Sequence, residues 1–117
     1  AAEDMSTMQY RFVHQAADET FDMMDAATEY PVGILQNNPA SGEIGVIRIS
    51  GASKLVMKDA VAVGAAVKAE YVGTADNGKG DAADTTLDNV RGICIQASGA
   101  EDDVGGVLLT NYQYQTA

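Results

Sequence analysis

The chain holds one cysteine, two prolines, two phenylalanines and no tryptophan among its 117 residues. A lone thiol, Cys94, excludes an internal disulfide, which fits a reducing compartment or a fold that needs no staple. Without Trp, and with little Phe, the core must be built from Val, Ile, Leu, Met and Ala, with five Tyr as the larger pieces. Bases are also scarce: 7 Lys and Arg face 17 Asp and Glu, a net charge of −10. The acids are spread along the whole chain, so the surface repels phosphate and anionic headgroups; direct binding to nucleic acid or membrane is disfavoured. Long apolar runs are missing too. Ala60–Val67, with Gly64 inside it, is far short of the roughly 20 residues that span a bilayer. No basic stretch leads into an apolar one at the start, so no signal peptide is read.

What is present suits one globular domain: 46% apolar and 21% charged residues. Residues 1–7, AAEDMST, are small and acidic and read as a flexible, extended arm, leaving residues 8–117 as a single β domain. Met8, Tyr10 and Phe12 alternate with Gln9 and Arg11, which predicts a strand from Met8. Asp18–Thr28 reads equally as a short helix or a strand. Val32–Gln36, Ile44–Ile49, Lys54–Lys58, Val90–Gln96 and Val104–Thr110 read as strands, and Tyr112 to Gln115 alternates again. Gly64 within Ala60–Val67 marks a bulge or tight bend. Asp76–Asp81 is the loosest loop. Short strands at this spacing with Gly-rich turns predict an all-β fold, a compact sandwich or barrel. Its expected core includes Ile34, Leu35, Val46, Ile49, Val63, Val67, Ile93, Ile95, Val107 and Leu109.

The chain also repeats itself. Val32-Gly33-Ile34-Leu35-Gln36, a turn and Glu43-Ile44-Gly45-Val46-Ile47-Arg48-Ile49 match Arg91-Gly92-Ile93-Cys94-Ile95-Gln96, a turn and Asp103-Val104-Gly105-Gly106-Val107-Leu108-Leu109. The halves run about 8–51 and 67–110. Upstream, Phe12-Val13 aligns with Tyr71-Val72, or Val13 with Val67 if the loop around 76–81 holds an insertion. Two units are too few for a solenoid but suit a small closed β fold whose halves cover each other's edges.

Catalytic chemistry finds little footing. His14 is the only histidine, and no nucleophile pattern accompanies it. Cys94 lies between Ile93 and Ile95 and faces away from both, as a buried inert thiol would. The 76–81 loop has glycine where an EF-hand needs oxygen ligands, so it reads as a solvated turn. No catalytic residue, metal or cofactor is expected. Lys58 in Val56-Met57-Lys58-Asp59 invites comparison with biotinyl and lipoyl carrier domains. Asp59 stands where the biotinyl pattern has Met, and Met57 where the lipoyl pattern has an acid.

Pro31–Ser50, PVGILQNNPASGEIGVIRIS, resembles the capsid cement or head-decoration proteins of tailed bacteriophages. Their pattern is P-[VI]-G-[VI]-L-Q-N, an Asn/Pro/Ala/Gly turn, then G-E-x-x-x-V-x-[VI]-x-G. Here these are Pro31 to Asn37, Asn38 to Ser41, then Gly42-Glu43, Ile49 and Gly51, with Val46 one residue before the place of the pattern's Val. Ala60 to Lys68 is similar to the family's A-x-A-x-G-x-x-V-K segment, and Arg91 to Gln96 to its late strand. The resemblance implies a non-enzymatic virion protein on the outer capsid surface, assembled in the host cytoplasm. It would bind the major capsid protein, bridge shell subunits and self-associate as a trimer. The contacts to the shell are expected from Met5, Met8, Tyr10, Arg11 and Phe12, an apolar row with one base. A β-sandwich adhesion or glycan-binding module is the alternative, and a carrier domain the third reading.

Overall fold

The computed structural model describes residues 4–17, 20–24, 31–69, 78–83, 89–100 and 103–113. Expectations for residues 1–3, 18–19, 25–28, 71–72, 76–77 and 114–115 lie outside the described residues. The described structure is all-β, and its strands are β1 (Phe12–Ala17), β2 (Thr20–Met23), β3 (Pro31–Leu35), β4 (Ile47–Arg48), β5 (Ala52–Val56), β6 (Ala66–Ala69), β7 (Gly80–Ala82), β8 (Asn89–Gln96) and β9 (Val104–Gln113). They form two sheets. Sheet A has the order β2-β1-β3-β4, and sheet B the order β5-β9-β8-β6-β7. The described part of Asp18–Thr28 is therefore strand, not helix.

The sequence repeat is present in the strand pairing. Sheet A is built as β2-β1-β3-β4 and most of sheet B as β7-β6-β8-β9, in the same chain order. Ile34 faces Arg48 and Leu35 faces Ile47; the matching residues Ile93 and Cys94 face Leu108 and Val107. Val13 pairs with Gly33, and Val67 pairs with Gly92, so Val67 is the counterpart of Val13 and the second unit carries the insertion between β6 and β7. His14 faces Asp22, and Lys68 faces Asp81. Both units also slip register at the same point, between Val13 and His14 and between Val67 and Lys68. A conserved pairing frame with a bulge at the same place is what a duplicated unit produces, because register depends on where the bulge sits.

The units stack in one sense. Phe12 and Ile34, paired on one face of sheet A, lie in a core cluster with Leu55, Met57, Val67, Cys94 and Val107 from sheet B. The other face of sheet A is also buried: Val13, Phe21, Met23 and Leu35 close over Met5, with Met8 and Ile47 alongside. Sheet A is thus a middle layer, between sheet B and the segment that precedes β1. Sheet B curls until its edges approach, through a bridge between Met57 and Gly80 and a bond from Lys58 N to Gly80 O at 2.8 Å. Joining the edges removes unpaired strand groups that would otherwise recruit other chains.

Several expected core residues are instead exposed: Val46, Ile49, Val63 and Ile95. Ile95 and Val46 lie on the opposite faces from buried Cys94 and half-buried Ile47, and strand alternation turns them outward. Val63 sits in the turn that Gly64 makes at φ 89°, where Ala65 N donates to Ala62 O. Ile49 lies just past the end of β4. Ile34, Leu35, Val67 and Val107 are fully buried, while Ile93 and Leu109 are partly so.

Gly33 and Gly92 hold equivalent close approaches. A Cβ on Gly33 would run into Arg48 O and meet Ile47 Cγ2 at 2.8 Å, and one on Gly92 would meet Val107 Cβ at 3.0 Å and Leu108 O at 3.3 Å. Gly33→Ala is expected to cost about 2 kcal/mol in equilibrium urea unfolding, and Gly92→Ala about 1 kcal/mol or less. Equal losses would show that the hairpins are not packed as described.

Candidate interaction surface

The segment expected to grip a partner is instead a seam within the fold. Met5 is 0% exposed and Phe12 1% exposed. Met5 N donates to Pro39 O at 2.9 Å, so the expected flexible arm is tied down at Met5, while Asp4, Ser6 and Thr7 are exposed. The amphiphilic run that suggested a free apolar row is amphiphilic because Met5 and Phe12 serve two different cores. Met8 is half-buried against the Met5 cluster. The expected strand from Met8 begins only at Phe12, since residues 9–11 are turn and bend. Tyr10 takes φ 65°, the left-handed region that a side chain disfavours. Its N–H donates to Leu35 O at 2.7 Å and its carbonyl accepts from Val56 N at 2.8 Å, with Lys54 Nζ 5.7 Å from its ring centre. Arg11 is half-buried, and its carbonyl accepts from Leu35 N at 2.9 Å. Of the five expected contact residues, only Met8, Tyr10 and Arg11 keep any exposure.

The remaining chemistry-bearing residues are dispersed. Cys94 is buried, its thiol 3.3 Å from Gln96 O and 3.8 Å from Val61 O. Lys58 follows β5, and the strands on either side of it, β5 and β6, are not paired with each other, so it does not cap a hairpin as a carrier lysine does. Gly78, Lys79 and Gly80 are buried, which corrects the reading of this loop as a solvated turn. The cause is a close approach: Phe12 N donates to Gly78 O at 2.7 Å, and a Cβ on Gly78 would run into Phe12 O. Among the described residues no three His, Cys, Asp or Glu side chains are placed to hold a metal ion.

What the fold does present is an apolar face. On the outer side of sheet B, Ala52 pairs with Leu108, Leu108 with Ile93 and Ile93 with Ala66, one row across four strands. Leu108, Ile95 and Val104 are 49%, 50% and 46% exposed. The outward positions of β5, β8 and β9 that flank this row, Lys54, Val56, Ile95, Val104 and Gly106, include no acid, in a chain of net charge −10. The equivalent positions of sheet A, Phe12 and Ile34, are buried against sheet B. Thus the same face of the duplicated unit is covered once and open once. Sequence alternation at Ile93 and Ile95 and at Leu108 held that signal, but only the stacking of the sheets shows which face stays open.

No protein-family model matches this chain, and no curated protein matches it. Among solved structures it is similar to the crystal structure of the head fiber gp8.5 N base of bacteriophage phi29. That likeness has a TM-score of 0.70 at 14% identity and covers 98% of this chain and 95% of the other. At that identity the two share a fold.

Met5→Ala is expected to lower unfolding stability by about 3 kcal/mol, as for a large apolar side chain removed from a packed core. An unchanged urea midpoint would return Met5 to a free arm. Chelation by EDTA is expected to leave the melting temperature where it is; a fall of several degrees would reveal a structural metal.

Proposed function

We propose that this chain is a non-enzymatic structural protein of a tailed-phage virion, seated on the outer surface of the head. There it binds the major capsid protein and bridges neighbouring shell subunits. The observation that carries this reading is the fold it shares, over 98% of its length, with the base of a phage head fiber. The resemblance of Pro31–Ser50 to head-decoration proteins points the same way from the sequence. The acidic surface suits a protein that stands outside the shell and away from packaged DNA and membranes.

Attachment uses the outer face of sheet B. Burying exposed Ile95, Leu108 and Val104 yields hydrophobic stabilisation, and the lack of acids at the outward positions of β5, β8 and β9 spares the contact like-charge repulsion. Copies group as trimers at local threefold positions, so that many weak identical contacts act together on a repeating lattice. Of the residues expected to dock, Met5 and Phe12 serve the core, which leaves Met8, Tyr10 and Arg11 at most a rim role.

The test is cryo-EM of heads from which this chain co-purifies, with occupancy compared between the native chain and Ile95→Lys/Leu108→Lys. These are exposed positions, so the variant should keep its stability within about 0.5 kcal/mol. Its occupancy is expected to fall at least roughly tenfold, as for loss of a central apolar anchor. Full occupancy with both lysines present would remove this face from the interface. Absence of the native chain from all heads would remove the virion reading itself.

A further inference from the structure

The two units differ at one edge. In sheet B the outer edge of β9 is occupied by β5, with Ala52 opposite Leu108, Ser53 opposite Val107, Lys54 opposite Gly106, Leu55 opposite Gly105 and Val56 opposite Val104. In sheet A the counterpart of β9 is β4, which is the last strand of its sheet. The counterparts of those five β9 residues are Arg48, Ile47, Val46, Gly45 and Ile44. Among the described residues no strand pairs with them on that side.

The backbone there points the right way. Gln36 N donates to Val46 O at 2.7 Å, so Val46 bonds towards β3 and its neighbour Ile47 directs its own N–H and C=O outwards. Ile49 lies just past the end of β4, and the duplicated unit supplies the direction of its N–H. Its counterpart Leu109 donates its N–H to Gly51 O, at the start of the β5 strand, at 2.9 Å. The side chains fit the same picture. Ile44, Val46 and Ile49 are 87%, 56% and 72% exposed, an apolar stretch left uncovered. Gly105 leaves room for Met57 and lies opposite Leu55; Gly45 leaves room for the Phe21 ring.

We infer that the open edge of β4 is a strand-addition site, and that it accepts an extended, aliphatic and lysine-bearing segment of a partner protein, patterned like β5. Main-chain hydrogen bonds supply the affinity, and alternate side chains supply the selection. β5 is the internal template: ASKLV, with Lys54 within it and Lys58 just beyond. Charge selects the same chemistry. Residues 1–50 hold eight acids against Arg11 and Arg48, so a basic strand is attracted to this half and a second copy of the chain is repelled. The inference stands on the pairing of the duplicated units and does not use the virion reading.

The probe is a synthetic peptide with the sequence of residues 51–58, GASKLVMK, added to the full chain in solution. Amide hydrogen exchange and NMR shifts are read at Ile47 and Ile49. Expected are saturable binding and new protection at those amides. A peptide with both lysines changed to Glu should bind roughly tenfold weaker. Ile49→Pro deletes an outward donor at an edge position that tolerates proline, and should abolish binding. The inference is overturned by no saturable binding up to about 1 mM. It is equally overturned by perturbation confined to β9, which would be exchange with the native β5. Protection of Ile47 and Ile49 that rises with chain concentration and no peptide would make the occupant a second copy, and would overturn the partner named here. No capsid enters this experiment, so its failure leaves the virion reading untouched.

Discussion

Four backbone hydrogen bonds around Tyr10, Arg11 and Phe12 hold the layers of this protein in relation to one another. Tyr10 and Arg11 bond to Leu35 in sheet A, Tyr10 also bonds to Val56 in sheet B, and Phe12 bonds to Gly78 in the loop before β7. One short segment therefore serves both sheets, and it can do so only because Tyr10 adopts a left-handed backbone. For a non-glycine residue that conformation costs on the order of 1–2 kcal/mol, which the surrounding bonds must offset. The seam also explains why Gly78 is needed where the loop meets Phe12, and why the chain just before it is packed rather than free.

Around that seam the two units have diverged by their position in the stack. Sheet A is covered on both faces, so β3 shows three buried residues in succession, Gly33, Ile34 and Leu35. Sheet B is covered on one face, so β8 turns Cys94 inwards and Ile95 outwards. The paired residues keep the same frame, yet Phe12 and Ile34 are core while their counterparts Ala66 and Ile93 lie on the outer face. The size of the first residue follows: Phe where a layer must be filled, Ala where it borders solvent. The open face of sheet B and the open edge of sheet A are thus both positions where one unit has a cover that the other lacks.

Much of the local structure was legible because its causes are local. Strand hydrophobicity located the strands from Val32 to Leu35 and from Val104 to Leu109, and Gly64 marked a bend that is a turn. The repeat was legible because a hairpin's register and its close-approach glycines leave matching residues at matching positions. Its upstream register was not, since Phe12-Val13 fits two places by pattern and only the pairing of Val67 with Gly92 selects one. The candidate contact residues misled for a different reason. An apolar row beside acids looks the same whether it meets a partner or its own core, and Met5 meets its own.

By itself the sequence determined the all-β class, the duplicated hairpins, the inward turn of Cys94 and an acidic surface, because each depends on neighbours along the chain or on composition. Only the tertiary structure decided which apolar faces are covered. It made Met5 a core residue, left Ile95 and Leu108 open, placed β5 beside β9 and left β4 an edge. Period-two alternation assigns residues to the two sides of a strand, but whether a side is inside depends on what the rest of the chain stacks against it.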